Sequence, residues 1–471
     1  MTTAIVWFRR DLRLEDNPAL HAAWRAHARI VCVYLHAPDE EAPWQPGAAS
    51  NWWLHHSLQA LDADLRRRGA CLFVARGPTA AALERLIAAS GARAVYWNTL
   101  HEPALMARDA ALRRVLRARA IEVHNFNANL LAEPSDLQSG QGGPYRVFTP
   151  FWRRLRANLQ PRPPLPAPRR IVAPALPGNV ALRDLGLLPS VRWDRGFAAV
   201  WQPGEAGAHA ALQRFRDRAL GDYRVDRDRP DRDGTSALSP HLHFGEIGPR
   251  QIVWRLLSDV RDDVHERNTV EAYLRELGWR EFSHHLLHHF PHLPERNLDR
   301  RFDGFAWANE DALALRRWQL GETGIPIVDA GMRQLWASGW MHNRVRMLVA
   351  SFLTKNLRQH WRHGARWFWD TLVDADLANN SQGWQWTAGC GVDAAPYFRI
   401  FNPVTQGERF DPAGAYVRRW VPELAKVPAA AIHRPWEFAG AHRLAYPAPM
   451  VDLRATRVAA LAAYRHLPRS G

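Results

Sequence analysis

Cysteine is nearly missing: Cys32, Cys71 and Cys390 are the only three in 471 residues, and no two stand at short paired spacing. That excludes a disulfide framework and a cysteine-held zinc or iron–sulfur centre, and it predicts a reducing, cytoplasmic compartment. Long apolar runs are missing as well. No stretch reaches the length of a membrane span, and the chain enters Ile5-Val6-Trp7-Phe8 without the regions of a signal peptide. Neither a transmembrane helix nor a secretory leader is expected. No Gly-x-Gly-x-x-Gly follows the first apolar run, so the usual dinucleotide fingerprint is absent. There is no internal repeat and no low-complexity tail, and the sequence stops soon after the helical stretch 456–464.

What is abundant is positive charge and tryptophan. A formal charge of +15 attracts polyanions at long range. Taken alone it is ambiguous, because arginine far outnumbers lysine and a GC-rich genome gives that bias with no function attached. The 22 tryptophans say more. An indole is large and needs a partner for its N–H, so many of them point to stacking, interfaces or electron transfer, with core filling as the alternative for more than half.

At this length one hydrophobic core does not suffice, and the pattern divides accordingly. Short apolar runs at 4–8, 30–35, 71–75, 94–97 and 122–126 read as buried strands. Between them 51–68, 79–90 and 104–120 carry apolar residues at helical spacing, with Gly69 and Gly91 as stops. The alternation predicts a Rossmann-like α/β domain with a parallel sheet, over 1–134, whose ligands would sit at the carboxyl ends of the strands. Pro161 to Pro168 reads as extended chain inside a connector spanning 135–200. From 201 to 471 the pattern is helical almost throughout, predicting an all-α second domain.

Several segments carry chemistry. Asp233-Gly-Thr-Ser-Ala-Leu-Ser-Pro240 sets hydroxyls and backbone N–H groups in a turn before a helix, suited to phosphate oxygens, or else Ser239 or a neighbour is an ordinary helix cap. Glu276 and Trp279 share a helix face, where an acid beside an aromatic plate can read an extruded base, or simply be a surface Glu beside a core Trp. Asn343, Arg346 and Met347 place an amide, a guanidinium and a thioether toward one side. The densest segment is Asp374-Ala-Asp-Leu-Ala-Asn-Asn-Ser-Gln-Gly-Trp-Gln-Trp386, with two acids, two asparagines and two tryptophans where the core should be apolar. A surface loop is the plain alternative. Asp374 and Asp376 lack further ligands at calcium-loop spacing, and His284, His285, His288 and His289 have zinc spacing without a metalloprotease glutamate.

Together, Trp7-Phe-Arg-Arg-Asp-Leu-Arg-Leu-Glu-Asp-Asn17, Asp233–Pro240, Glu276–Phe282, Thr323–Arg333, Trp340–Met347 and Asp374–Trp386 resemble the photolyase/cryptochrome family, in one order over nearly the full length. The resemblance implies an α/β antenna domain and a helical domain holding FAD. It puts Tyr223, Thr235, Ser236, Leu238 and Ser239 at the FAD phosphates and ribityl chain, with Arg280, Asn343 and Arg346 nearer the ring. Asp374 would pair with Arg346, Asp376 would accept from the flavin edge, and Asn380 would face flavin N5. Glu276, Trp279, Asn343, Met347 and Trp386 would line the cavity for a flipped pyrimidine dimer, with Glu276 and Asn380 taking part in catalysis and Arg227 and Arg344 near the DNA. Trp384, Trp361 and Trp307 match the tryptophan chain that photoreduces flavin.

The implied activity is light-driven splitting of cyclobutane pyrimidine dimers by a monomeric enzyme. Asn343 and Met347 stand where (6-4) photolyases carry histidines and plant cryptochromes tend to carry an acid and an aliphatic residue. A cryptochrome-like photoreceptor and a non-catalytic nucleic-acid-binding protein are the other readings. For the antenna pigment, Ala104-Leu105 and Glu295 replace the Asn-Glu pair and Lys of one folate-binding mode. Asn51–Leu58 and Gly142–Trp152 resemble the class III branch, which binds methenyltetrahydrofolate differently, so folate is expected rather than deazaflavin.

Overall fold

The computed structural model describes residues 2–140, 142–258, 263–393 and 398–468. Its sheet consists of β1 (Thr3–Phe8), β2 (Arg29–His36), β3 (Leu72–Arg76), β4 (Ala94–Asn98) and β5 (Glu122–Phe126). The strands are parallel in the order β3-β2-β1-β4-β5, with Val6 of β1 opposite both Cys32 and Tyr96. Every residue of β1 is buried, as a central strand covered on both faces must be. Ala4, Val6 and Phe8 pack with Leu20, Trp53 and Leu58 on one face, while Ile5 and Trp7 pack with Leu83, Leu86 and Leu112 on the other.

The helices that cover these faces are α1 (Pro18–Ala26), α2 (Ala48–Arg66), α3 (Thr79–Ser90) and α4 (Pro103–Ala118). α1 is absent from the helices read off the periodicity, although its start was signalled: Asn17 caps it by accepting from Leu20 N at 3.1 Å, and Pro18 occupies the first turn. α2 begins three residues before the expected start. Within the segment expected as connector, α5 (Phe148–Asn158) forms and buries Phe148, Phe151, Trp152 and Leu155 in the core of the helical domain. Residues 159–168, rich in proline, have no regular structure.

Beyond residue 200 the described residues are helical or irregular, with no strand. The two halves are latched by the first motif of the chain. Arg13, fully buried, donates to Gly245 O and Ala128 O at 2.9 Å, and Glu205 accepts from Leu14 N and Glu15 N at 2.8 and 2.9 Å. Trp53 Nε1 reaches Glu246 Oε1 at 3.0 Å. Within Trp7–Asn17, Leu12 to Glu15 thus fasten the two domains, while Arg9, Arg10 and Asp11 bond inside the sheet domain. Among the described residues no helix is long and apolar enough to cross a membrane.

Candidate active site

The helices Val264–His289, Asn343–Ser351, Trp361–Thr371 and Leu377–Ala388 frame a cavity of about 440 Å³. Side-chain caps hold the last three of them. Asp376 caps Leu377–Ala388 by accepting from Asn379 N at 2.8 Å, and Gly389, at φ 95°, closes that helix in the left-handed region. His342 and His360 cap the next two, each accepting through Nδ1 from an N–H two residues on, at 3.2 Å. An imidazole can accept there only when Nδ1 is unprotonated. Burial, with neighbouring arginines, pushes both histidines down to about 4, against the pull of Asp228 in the case of His342.

Arg227, Glu276, Trp279, Asn343, Arg344, Arg346, Met347, Asp374, Asp376, Asn380, Trp384 and Trp386 all line this one cavity. Arg346 Nη2 donates to Asp374 Oδ2 at 2.8 Å, and its Nε to Met341 O at 2.7 Å. Asp374 Oδ1 is buried and has no hydrogen-bond partner among the described residues. Asp376 lies with Oδ2 3.3 Å from His284 Nε2 and 3.6 Å from His243 Nδ1. Burial alone would raise the Asp376 pKa, but His284 and His243 outweigh it and hold the carboxyl well below its usual range. Asn380 Nδ2 is committed to Ala365 O at 2.9 Å, which leaves its Oδ1 for the cavity. At the mouth, Arg227 pairs with Glu276 at 2.6 Å and Arg344 with Asp228 at 2.8 Å.

Other residues singled out from the sequence lie elsewhere. Thr235 and Ser236 line a second cavity, of about 610 Å³, beside Arg214, Arg218, Arg232 and Arg419. Ser239 is not a cap; it sits inside the short helix Ser239–His243, whose cap position is Leu238, and its Oγ accepts from Trp340 Nε1 at 3.4 Å. Leu238 is buried, and Tyr223 packs on Phe215 and Tyr273. Arg280 donates to Asn129 O at 2.7 Å and to Glu281 at 3.2 Å. His285 accepts from Tyr145 N at 3.0 Å and so serves a structural contact.

The three tryptophans are connected through intervening residues. Trp307 is half-buried, with its ring 4.9 Å from that of His360, and His360 lies 5.5 Å from Trp361. Trp361, fully buried, donates to Asn297 Oδ1 at 2.8 Å. One turn further along the same helix, Gly364 touches the Trp384 indole so closely that any side chain there would collide with it. Trp384 in turn borders the cavity. Sequence reasoning missed Asp228, Phe368, Asn379 and Gln382, which also line it. Asn379 and Gln382 were inside the flagged segment, whereas Phe368 carried no local signal.

The donor set fits a flavin nucleotide. Asp374 and Asp376 are buried acceptors for ring N–H groups, Arg346 is a cation held beside them, and the cavity has the size of a small-molecule site. A doubly wound sheet fastened to a helical domain with such a cavity defines a class of two-domain flavoproteins. Residues 4–169 match the family described as DNA photolyase, and residues 273–466 the FAD binding domain of DNA photolyase. The chain is 47% identical over 98% of its length to the deoxyribodipyrimidine photo-lyase of Agrobacterium fabrum, covering 97% of that protein. It is 40% identical over 92% of its length to cryptochrome-1 of Arabidopsis thaliana, covering 64% of it. The crystal structure of a bacterial class III photolyase from Agrobacterium tumefaciens superposes with a TM-score of 0.93 at 46% identity, covering 99% of this chain and 97% of that one. The chain belongs to the photolyase/cryptochrome family, and its second domain is an FAD-binding domain.

Proposed function

We propose that this protein is a deoxyribodipyrimidine photo-lyase of the class III kind, repairing cyclobutane pyrimidine dimers in DNA under light. The observation that carries the reading is that Glu276, Trp279, Asn343, Met347 and Trp386 share one cavity with Asp374, Asp376, Asn380 and Trp384. Residues expected to face the lesion and residues expected to face the cofactor therefore line one cavity.

Bound in reduced form, FAD would supply under light the electron that opens the dimer and would take it back, with no net redox change. The chain's own residues prepare that event. Trp279 and Trp386 offer indole faces to an extruded dimer; stacking returns about 1–3 kcal/mol per base, against an unstacking cost of a few kcal/mol that is least for a distorted lesion. Glu276, paired with Arg227, would accept a hydrogen bond from the dimer and orient it in the cavity. Arg227 and Arg344 meet the phosphates, with the +15 charge drawing the duplex in. Asn380, its Nδ2 held by Ala365 O, would offer its amide oxygen to an N–H of the bound flavin. Arg346, Asn343 and Asp374 hold the cofactor, with Thr235 and Ser236 toward its phosphates. Trp307, Trp361 and Trp384 carry electrons inward to restore the reduced state.

We further infer an antenna folate rather than a deazaflavin. Ala104, Leu105 and Glu295 line a cleft of about 260 Å³ between the domains together with Glu41 and Glu102, and Glu295 accepts from Trp44 Nε1 at 2.8 Å. Arg10 pairs with Glu41 and Glu102 there, and among the described residues no lysine lines the cleft, which supports a different seat for methenyltetrahydrofolate. A near-ultraviolet absorption band separate from flavin is the expected signature. The protein works as a cytoplasmic monomer in this reading.

The test is a thymine-dimer oligonucleotide, restored only when illuminated after flavin reduction. Bound flavin without repair would promote a photoreceptor role, and a colourless protein releasing no flavin would leave only nucleic-acid binding.

A further inference from the structure

Behind the lesion-facing plate lies a second layer that the repair chemistry has not used. Trp279 is half-buried, with one side on the cavity. Against it lies Phe148 of α5, ring centroids 3.7 Å apart and planes within 9°. Phe148 is itself 1% exposed and nearly parallel to Trp152, at 6.4 Å and 11°. Trp152 is pinned: its Nε1 donates to Glu271 at 3.2 Å, Glu271 also accepts from Arg156 at 3.0 Å, and Gly278 packs so closely on its ring that no side chain would fit there. Phe282 closes the stack edge-on, 5.9 Å from both Phe148 and Trp279, and the Arg275 guanidinium lies 5.2 Å from the Phe148 centroid.

A single indole on a helix surface samples rotamers, and a ligand that stacks on it must first arrest that motion. Each arrested side chain subtracts from affinity. Here the arrest is built in before the lesion arrives, because Trp279 can swing only by breaking a face-to-face contact with a ring that is fixed from behind. Resting on the repair reading, we propose that Phe148 is a positioning residue for dimer recognition: it acts through Trp279, holding the indole as a preset plate, and touches neither flavin nor DNA. α5 therefore supplies part of the specificity of the site from outside the four framing helices.

The experiment compares Phe148→Leu, which keeps an apolar side chain but loses the ring face, with Phe148→Tyr, which keeps the ring, in the flavin-loaded protein. Affinities are measured for a thymine-dimer duplex and for the same duplex undamaged, alone and on a Trp279→Ala background, alongside flavin content and melting temperature. Phe148→Leu is expected to weaken dimer binding by about five- to tenfold, the scale of one aromatic pair. Undamaged-duplex affinity, flavin content and repair rate at saturating dimer should stay within about twofold, with Phe148→Tyr close to the parent. On the Trp279→Ala background the Leu substitution should have no further effect, since the two act as one unit. Unchanged dimer affinity, an equal loss for both duplexes, or the same penalty without Trp279 would each overturn the assignment. A parent protein with no preference for the dimer duplex would instead defeat the repair reading, and the assignment with it.

Discussion

The two domains put the same side chain to different ends. In the sheet domain Trp7, Trp52, Trp53 and Trp97 are at most 2% exposed and pack on one another or on the sheet, Trp7 against Trp97 at 5.8 Å and Trp52 against Trp53 at 6.3 Å. In the helical domain Trp279 and Trp386 border a cavity, and Trp384, Trp361 and Trp307 run from that cavity toward the surface. Burial does not separate the sets, since Trp361 is as buried as Trp53. Nor does an unpaired indole N–H, which Trp7 and Trp384 both have. What separates them is whether the ring belongs to the series that leads to the cavity of about 440 Å³.

The sharpest break of that comparison is Trp384→Phe, which should abolish light-driven flavin reduction yet spare repair by chemically reduced protein, read by flavin absorbance under illumination. Loss of bound flavin would refute the role. Glu276→Ala should slow repair by about ten- to hundredfold, the range for removing a hydrogen bond to a charged group, with flavin content unchanged.

Buried charge extends the contrast. Asp374→Ala leaves Arg346 without its partner and should cost about 3 kcal/mol in a denaturant melt, with reduced flavin retention; the 23% exposure of Arg346 keeps this at the low end for a broken buried pair.

Beside conventional caps such as Asp376 and Asn402, the helical domain uses two histidines, His342 and His360. The folded pKa of His342 is about 4, below the unfolded value of about 6.5. Its contribution is therefore complete above pH 6.5 and is lost as pH falls from there through 4, on the order of 3 kcal/mol. His342→Asn should flatten that share of the acid sensitivity, measured as the change in unfolding midpoint between pH 7 and pH 5. The smallest functional effect belongs to Trp97→Phe, a loss of about 1–2 kcal/mol in stability with photoreduction and repair untouched. Slower photoreduction in that variant would erase the distinction between the domains.

The sequence by itself determined the alternation of strands and helices, because a sheet buried on both faces demands continuous apolar runs, and these stand out at β1 to β4; β5, expected as a buried strand, is an edge strand with no fully buried residue. It also marked Asp374–Trp386, where acids, amides and indoles crowd a segment that helical packing would otherwise fill with apolar residues. The family motifs assigned roles that composition left open. Only the tertiary structure decided which of those residues meet. Periodicity reports a residue's face within its own element, and the cavity is assembled from four helices whose crossings depend on contacts far apart in sequence. Thus Arg346 reached Asp374 and Gly364 made room for Trp384, while Tyr223, Leu238, Ser239 and Arg280 fell outside the cavity's lining. Phe148, in a segment that read as connector, came to rest behind Trp279, a contact between residues too distant in the chain for any local pattern to announce.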